Sequence, residues 1–367
     1  PACGLAREAG QGVNRAASDF ARRLRRWHAR HGRHDLPWQN TSDPYRVWLS
    51  EIMLQQTQVA TVQPYYERFL ASFSTLARLA AAPLDEVMAL WSGLGYYARG
   101  RNLHACARTI VAEHGGEFPR DASAIARLPG IGRSTANSIA AFCFGASAPV
   151  LDGNVKRVLC RCFGIDGFPG RASVERSLWQ LAEDLAPARH CGDHNQALMD
   201  LGATVCTRAR PRCDACPLAA SCVALASGRT AELPAPKPRR VVPRRQATLL
   251  VLDDGQHVLL ETRPPSGIWG GLQSLPELPA GEEPGAWAAQ RFACRVLAVA
   301  PVPAIDHAFS HFRLHITPLV LRVERTPAAM EPRFEWLAAA ALGNAALPAP
   351  VRRILAQRSG SSPLPSR

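Results

Sequence analysis

The spacing of apolar residues changes once along this chain of 367 residues. From about residue 16 to residue 226 they recur three or four positions apart, as at Val47, Ile52 and Val62. Residues at this spacing share one face of a helix, so the pattern predicts amphipathic helices that pack through that face. The first part of the chain is therefore predicted to be helical.

Later in the chain the apolar period falls to two, which is typical of strands. Thr248–Leu252 and His257–Thr262 flank Asp253-Asp254-Gly255, a combination that predicts a hairpin. A further strand is predicted over His315–Val323, and a closing helix over Pro350–Gln357. The second part of the chain is therefore predicted to mix helices and strands.

Composition sets the boundaries between these parts. Residues 1–15 show no apolar period and are expected to be flexible. The segment 231–245 is rich in proline and arginine, which predicts a stiff, cationic linker. We therefore expect a multi-domain protein, with an all-α domain over 16–230, an α+β domain over 246–358 and a flexible tail over 359–367.

The net charge of +13 indicates a polyanionic partner, either nucleic acid or an anionic membrane. No apolar run approaches the length that spans a bilayer, so nucleic acid is favoured and no membrane is expected. Of the 43 basic residues only Lys156 and Lys237 are lysines. Arginine suits bidentate contacts to phosphates and bases, although codon usage in a GC-rich genome explains the bias equally well.

Four cysteines lie close together, separated by six, two and five residues: Cys206, Cys213, Cys216 and Cys222. In a chain without a secretory signal such thiols usually hold a metal. One short Cys-x-x-Cys pair with a single cysteine on each side suits a 4Fe-4S cluster better than zinc, although zinc and free thiols stay open. Three arginines between the first two cysteines would give this loop the charge to meet DNA phosphates: Arg208, Arg210 and Arg212.

A glycine-containing turn, Leu128–Ser134, precedes a further helix. Gly130 and Gly132 let the backbone approach closely, and the free amides of the next helix can bind a DNA phosphate. A plain turn between two helices is the alternative. Asp152 lies one helix later at a predicted N-cap, where the helix dipole favours its charge; a purely structural cap is the alternative there.

The order of glycine turn, helix, aspartate and four cysteines is accompanied by five further motifs: Leu36–Trp38, Trp48–Gln58, Gly93–Arg99, Trp269–Gly271 and Phe309–Phe312. In these segments the chain resembles the helix-hairpin-helix DNA glycosylases of the endonuclease III superfamily, which carry an iron–sulfur cluster. Within that superfamily it is most similar to the MutY-type adenine-specific mismatch glycosylases. The resemblance covers most of residues 18–357.

The resemblance implies an enzyme of base excision repair that hydrolyses the N-glycosidic bond of adenine. Its substrate would be double-stranded DNA in which the adenine is mispaired with 8-oxoguanine or guanine. Glu51 would be the general acid that protonates the departing adenine, and apolar neighbours at helical spacing are consistent with a raised pKa. Asp152 would stabilise the cationic sugar or bond to C1′ transiently, and Asn154 would position water or the sugar.

Adenine must leave the duplex before Glu51 can reach it. Gln56 and Tyr96 would fill the gap or contact the opposite base. The resemblance further implies an adenine pocket lined by Trp38, Leu54, Gln55, Val59, Ser134 and Gln196. Core packing is an equal alternative for the first two of these residues.

Ser134 stands where strand-cutting members of the superfamily have a lysine nucleophile. Serine cannot form an imine, so base removal without efficient strand cleavage is expected. Lys156 is an amine near Asp152 in the sequence, but we expect it to contact a phosphate or simply to be solvated.

The second domain resembles a Nudix fold. Gly271 and Glu277 have the spacing that opens a Nudix box, but residues 291–295 lack the carboxylates that would bind Mg²⁺. The resemblance implies recognition of 8-oxoguanine instead, by Phe309, Ser310 and His311, with His307 as a weaker fourth. A structural loop is the alternative.

Three other functions stay open. A bifunctional glycosylase and lyase is disfavoured by Ser134, and a non-catalytic iron–sulfur DNA-binding protein or redox sensor is disfavoured by Glu51 and Asp152. The third is a nucleotide pyrophosphohydrolase. We further expect a monomer in a bacterial cytoplasm, associated with the nucleoid, because an odd number of cysteines besides the four suits a reducing compartment.

Overall fold

The computed structural model describes residues 2–238, 242–264, 267–309, 311–326, 330–343 and 345–358, with side chains from residue 17 on. The expectations for the tail 359–367 and for Ser310 lie outside these residues. The chain divides into two compact units. One comprises Pro1–Ala81 and Asn102–Arg239, and the other comprises Ala82–Arg101 and Arg240–Arg367.

The first unit is helical, as the apolar period predicts. Its helices are α1 (Ala2–His31), α2 (Pro44–Leu54), α3 (Val59–Ser72), α4 (Leu76–Ala81), α7 (Ala122–Ile125), α8 (Arg133–Phe144), α9 (Gly153–Phe163), α10 (Ala172–Leu185), α11 (Cys191–Thr204) and α12 (Val223–Ala226), with most of α6 (Ala98–His114) and short 3₁₀ turns at Cys213–Ala215 and Ala219–Ser221. No helix in the described part of the chain is long and apolar enough to cross a bilayer.

Helices α1, α9, α10 and α11 share one core. Leu24, Val158, Leu178 and Leu201 are fully buried there, one from each helix. Each such aliphatic side chain contributes about 1.5–3 kcal/mol through its removal from water. The helices are therefore held together by the apolar stripe that their sequence spacing predicts.

Helix α1 is continuous from Ala2 to His31 and so includes most of the segment 1–15, for which the sequence predicts flexibility. Its later turns are anchored in the core through Phe20, Leu24 and Trp27. Extending an anchored helix costs less than starting one, and the alanine, leucine, arginine and glutamate content of the first turns favours that extension.

The second unit contains one mixed sheet and a few helices. Its strands are β1 (Arg244–Asp253), β2 (His257–Thr262), β3 (Gln273–Ser274), β4 (Glu277–Leu278), β5 (Cys294–Pro301), β6 (Ile305–Ala308), β7 (Arg313–Arg325) and β8 (Phe334–Ala338). Its helices are α5 (Leu84–Trp91), α13 (Pro284–Phe292) and α14 (Ala349–Arg358), with a 3₁₀ turn at Ala339–Ala341 and the first turn of α6. The predicted hairpin, third strand and closing helix correspond to β1–β2, β7 and α14.

Within the described residues the sheet has the order β3-β2-β1-β7-β5, and β4, β8 and β6 pair with β1, β2 and β7. Strands β1 and β7 are parallel, and the other pairs are antiparallel. Leu249 and Val251 of β1 face the cluster that includes α14, whereas Leu250 and Leu252 face the cluster that includes α13. The sheet therefore has helices on both faces.

Residues 82–101 pack with this second unit, although the sequence analysis places them in the helical domain. Met88 of α5 belongs to the same apolar cluster as Val351 of α14. The Ser92 hydroxyl donates to the Leu347 carbonyl at 3.0 Å. An apolar period reveals that α5 is a helix, but not which distant residues it packs against.

Strand β1 begins at Arg244, within the segment 231–245 that the sequence predicts to be a linker. Arg244 pairs with Arg313 at the start of the parallel β1–β7 ladder. Backbone hydrogen bonding to β7 therefore extends the sheet into the proline- and arginine-rich segment.

Candidate active site

A cleft of about 1400 Å³ lies in the helical unit. It is lined by every residue that the sequence analysis assigns to catalysis or to the adenine pocket: Trp38, Glu51, Leu54, Gln55, Val59, Ser134, Asp152, Asn154 and Gln196. These residues come from α2, α3, α8, α9, α11 and the segments between them. The fold therefore brings together side chains that are far apart in the sequence.

Glu51 lies on α2, whose first turn is fixed by Pro44 and by a hydrogen bond from the Tyr45 N–H to the Asp43 side chain. Burial raises the pKa of Glu51 from 4.5 to about 7, and the charge of Asp152 adds to this. A hydrogen bond with Ser138 acts in the opposite direction. Near neutral pH a large fraction of Glu51 therefore carries a proton that it can donate.

Asp152 is the N-cap of α9, as its sequence position predicts. Its carboxylate accepts hydrogen bonds from the Val155 N–H at 2.7 Å and from the Asn154 amide at 3.1 Å. Burial raises the pKa of Asp152, while these hydrogen bonds and the charge of Arg157 oppose the rise. The cap thus fixes the orientation of a second carboxylate in the cleft.

The segment that leads into Asp152, loop 148–151, is held by side chains of two helices. The Asn195 side chain of α11 donates to the carbonyl of the loop's first residue at 2.9 Å. Its oxygen accepts from the N–H of the loop's third residue at 3.2 Å. Asn137 of α8 donates to the carbonyl of the loop's second residue at 2.7 Å. The Ser134 hydroxyl accepts from the N–H of the loop's last residue at 3.1 Å. Asn137 and Asn195 are not among the predicted site residues, since asparagine in a helix normally indicates an exposed position.

Arg157 connects α9 to the end of α11 and to the cysteine loop. Its guanidinium donates to the carbonyls of Cys206 and Gly202, each at 2.7 Å, and to the Asn154 side-chain oxygen at 2.8 Å. Helices α9 and α11 approach closely at Gly202, where a side chain would not fit: an added Cβ would lie 2.6 Å from the Asn154 Cβ. The geometry around Asp152 therefore depends on this close approach.

Asp200 of α11 is fully buried behind the cleft wall. Its carboxylate accepts from three N–H groups of Arg33 at 2.6, 2.8 and 2.9 Å, from His28 at 3.1 Å and from the Gln196 amide at 3.1 Å. Burial alone would raise the pKa of Asp200, but these hydrogen bonds and the Arg33 charge prevail and lower it. Asp200 is therefore ionised at neutral pH, and its position in the sequence does not indicate that this carboxylate is buried and hydrogen-bonded.

The glycine turn joins α7 to α8. Gly130 has φ +74°, and a Cβ there would lie 2.6 Å from the Asn102 Cβ. Gly132 is the N-cap of α8 with φ −90°, and a Cβ there would meet nothing within 4 Å. Glycine is thus required at position 130 for two independent reasons and is not sterically required at position 132.

Gln56 and Tyr96 share an unusual backbone, each in its own unit. Their φ values are +57° and +49°, in the left-handed region that residues other than glycine rarely adopt. Both side chains are exposed, and the Arg99 guanidinium lies 5.4 Å from the Tyr96 ring centre. Strain at exposed positions is typical of residues that contact a ligand.

The four clustered cysteines line one small cavity: Cys206, Cys213, Cys216 and Cys222. Arg161, almost fully buried, donates to the Cys206 sulfur at 3.4 Å. Among the residues that the structure describes, no three His, Cys, Asp or Glu side chains are grouped closely enough to hold a single metal ion. The donor set is therefore four thiols around one space, beside a buried positive charge.

The cationic candidates differ in their surroundings. The three arginines of the cysteine loop are exposed: Arg208, Arg210 and Arg212. Lys156 instead forms an ion pair with Glu175. The arginines are thus accessible to a polyanion, whereas Lys156 already has an anionic partner.

In the second unit the candidate recognition residues form an aromatic cluster. The Phe309 ring stacks on the Phe312 ring, with 4.4 Å between the ring centres. The ring centres of His307 and Trp269 lie 4.7 and 6.0 Å from that of Phe309. His311 is exposed and lies 4.7 Å from Phe312. Phe309 is thus half-buried at the edge of this cluster.

The segment that would carry a Nudix metal site has no acidic residue on its helix. Helix α13 has the sequence Pro-Gly-Ala-Trp-Ala-Ala-Gln-Arg-Phe. Glu277, which precedes it, lies 3.4 Å from the Arg263 guanidinium. Among the residues of this unit that the structure describes, no group of acidic side chains is placed to hold a metal ion.

Comparison with known proteins gives matches for both units. Residues 49–184 match the HhH-GPD superfamily of base excision DNA repair proteins, and residues 247–357 match the NUDIX domain. The adenine DNA glycosylase of Buchnera aphidicola subsp. Acyrthosiphon pisum is 34% identical over 92% of this chain and 96% of its own length. The adenine DNA glycosylase of Homo sapiens is 36% identical over 90% of this chain and 72% of its own length.

Among solved structures, a thermostable thymine-DNA glycosylase is similar with a TM-score of 0.52 and 29% identity, covering 60% of this chain and 99% of that one. Together with the two domain matches, it confirms the predicted fold class, a helical helix-hairpin-helix domain followed by a Nudix-like domain.

Proposed function

Since this chain belongs to the adenine DNA glycosylase family and is a DNA glycosylase, we propose that it hydrolyses the N-glycosidic bond of adenine mispaired with 8-oxoguanine or guanine in duplex DNA. The observation that carries the proposal is the position of Glu51 and Asp152 in one cleft. The pKa of Glu51 lies at about 7 there, which suits a proton donor at neutral pH.

Glu51 acts as general acid. It gives its proton to a ring nitrogen of the extruded adenine, so that the electron pair of the C1′–N bond leaves with a neutral base. Such proton transfer is worth about 10²–10⁴ in rate. The burial that raises its pKa keeps Glu51 protonated when the base arrives.

Asp152 stabilises the positive charge that develops on the sugar as the bond breaks. Its hydrogen bonds to Val155 and Asn154 hold the carboxylate in place before the reaction starts, so little reorganisation is needed. Asn154 positions the water that adds to C1′, and the proton that this water loses returns to the Glu51 carboxylate, which completes the hydrolysis. The products are free adenine and an abasic sugar.

The strand is left intact. Ser134 lines the cleft, but its hydroxyl is engaged by the Leu151 N–H and it has no amine to attack C1′. Lys156 is held in an ion pair with Glu175. Formation of an imine with the sugar, which strand cleavage by a glycosylase requires, is therefore not expected.

Cys206, Cys213, Cys216 and Cys222 hold a 4Fe-4S cluster. A cubane cluster takes one thiolate at each of four corners, and these four thiols surround one cavity. The Arg161 guanidinium beside the Cys206 sulfur partly offsets the negative charge of thiolate ligands. When bound, the cluster supplies metal–thiolate bonds that fix the shape of the arginine-bearing loop.

The chain binds duplex DNA through the glycine turn Leu128–Ser134 and through the arginine-bearing cysteine loop. The backbone amides after Gly132 and the exposed arginines at 208, 210 and 212 contact phosphates. Gln56 and Tyr96 occupy the space left by the extruded base or contact the opposite one. Phe309 and His311, with His307 and Ser310, read 8-oxoguanine through stacking and hydrogen bonds.

A single-turnover excision assay tests this function. Duplexes with adenine opposite 8-oxoguanine, guanine, cytosine and thymine are compared at pH 7. We expect fast release from the first two, and no strong covalent adduct on borohydride trapping.

Two variants test the role of Glu51. Glu51→Gln should lose about 10²–10⁴ in rate, whereas Glu67→Gln, at an exposed position of α3, should keep the wild-type rate. A Glu51→Gln protein that releases adenine at the wild-type rate would contradict the mechanism.

A further inference from the structure

A fifth thiol lies at the cavity of the four clustered cysteines, on a helix rather than on the loop. Cys162 belongs to α9 and is buried. Its side chain lines the same cavity as Cys206, Cys213, Cys216 and Cys222. Four thiolates occupy the four corners of a cubane cluster, so this fifth thiol has no iron to bind.

Cys222 is the ligand beside this thiol. The side chains of Cys162 and Cys222 are hydrogen-bonded to each other. The Cys222 sulfur also lies 3.5 Å from the carbonyl oxygen of Arg161, the residue before Cys162. This end of the cysteine loop therefore rests against residues 161 and 162 of α9.

The direction of the hydrogen bond between the two sulfurs follows from metal binding. A cysteine that binds iron has lost its proton, so the Cys222 sulfur can then only accept a hydrogen bond. Cys162 packs in the apolar core with Val158 and Leu201, where burial favours the neutral thiol over the thiolate. Cys162 is therefore the donor.

Hydrogen bonds to the sulfurs are one of the means by which a protein sets the reduction potential of an iron–sulfur cluster. A donor attracts negative charge on the thiolate and so stabilises the cluster that carries one more electron. We propose that Cys162 is a positioning residue that donates its S–H to the Cys222 sulfur and thereby raises the reduction potential of the 4Fe-4S cluster. This inference rests on the proposed cluster.

Three substitutions separate the S–H group from the space that it fills. Cys162→Val removes the donor and fills its place, Cys162→Ala removes the donor without adding volume, and Cys162→Ser keeps a donor. Cys160→Ala is the matched control, because Cys160 is also buried on α9 but is not among the residues that line the cavity.

Each protein is prepared as the full chain with its cluster. Iron content, visible absorbance and the one-electron midpoint potential are measured, the last by voltammetry. The electrode supplies and removes the electron, the cluster alone changes its oxidation state, and the thiol proton stays on Cys162.

All of these proteins should hold the complete cluster. In Cys162→Val and Cys162→Ala the equilibrium constant for reduction should fall about threefold, a part of what one hydrogen bond contributes to an equilibrium. This fall corresponds to a potential lower by about 30 mV, at about 59 mV for each tenfold change. Cys162→Ser should keep more than half of the difference, and Cys160→Ala should have the wild-type potential.

The possible failures are distinguishable. A wild-type potential in both Cys162→Val and Cys162→Ala would overturn this inference alone. An equal fall in Cys162→Ser would overturn it too, because packing rather than a donor would then set the potential. Loss of iron from Cys162→Ser would overturn it by making Cys162 a ligand. A wild-type protein with neither iron nor visible absorbance would refute the proposed cluster itself, and this inference with it.

Discussion

Replacing Glu51 with glutamine should stabilise the protein at alkaline pH while it removes the general acid. Burial raises the pKa of Glu51 from 4.5 to about 7, so between these pH values the folded chain holds a proton that the unfolded chain has released. The stability that this proton brings is fully present below pH 4.5 and is lost as the pH rises through 7. Above pH 7 the folded protein therefore contains an unfavourable buried charge.

The size of this effect follows from the pKa change. A rise from 4.5 to about 7 corresponds to about 3 kcal/mol, at about 1.4 kcal/mol for each pKa unit. Glutamine has nearly the same shape and does not ionise. The free energy of unfolding of Glu51→Gln should thus match the wild type near pH 4 and exceed it by up to about 3 kcal/mol at pH 8.5. In a domain of this size that gain raises Tm by roughly 5–10 °C.

The assay is urea or thermal unfolding of the wild type, Glu51→Gln and Glu67→Gln from pH 4 to pH 9. The Glu67→Gln curve should follow the wild type, because Glu67 is exposed. Asp152 also has a raised pKa, but it is present in all three proteins and its contribution largely cancels. Parallel stability curves for the wild type and Glu51→Gln, or a less stable Glu51→Gln at pH 8.5, would refute the assigned pKa and the acid that depends on it.

Three further predictions concern other parts of the molecule. Gly130→Ala should lose about 2–4 kcal/mol of stability through its positive φ and the contact with Asn102, whereas Gly132→Ala should lose less than about 1 kcal/mol in the same unfolding assay; equal losses would contradict the turn geometry. Cys213→Ser should lose visible cluster absorbance and bind DNA more weakly, while Cys294→Ser keeps both; a colourless variant with full DNA affinity would exclude a structural role for the cluster. Phe309→Ala should lower the preference for 8-oxoguanine over guanine opposite adenine about fivefold or more, with release from the guanine duplex preserved; an unchanged preference in competition assays would show that this ring does not read the lesion.

The sequence predicts the fold class well because local patterning carries most of the information. The change of apolar period separates the two units, and Leu249 and Leu250 sit on opposite faces of β1 as strand geometry requires. What patterning cannot predict is which distant elements pack together. Met88 lies on a helix whose apolar pattern resembles that of its neighbours in the sequence, yet it belongs to the same core as Val351, in the second unit.

Candidate site residues can be predicted from the sequence where they lie in a motif of the family. The resemblance gives Glu51 and Asp152 by position, and the structure brings both into one cleft. Asn137, Asn195 and Asp200 were not predictable, because polar residue types normally indicate exposed positions. Their importance comes from burial and from hydrogen bonds to residues far along the chain, neither of which is visible in one sequence.

The hydrogen bonds that hold loop 148–151 have a consequence for how inherited or selected variants of this protein are interpreted. Asn137 and Asn195 are buried and donate to backbone carbonyls of that loop, so we expect them to influence the reaction by fixing the position of Asp152, which follows the loop. We expect a substitution at either position to displace Asp152 and lower activity, although neither side chain lines the cleft. Screens for loss of repair should therefore recover positions that a map of substrate contacts would classify as harmless.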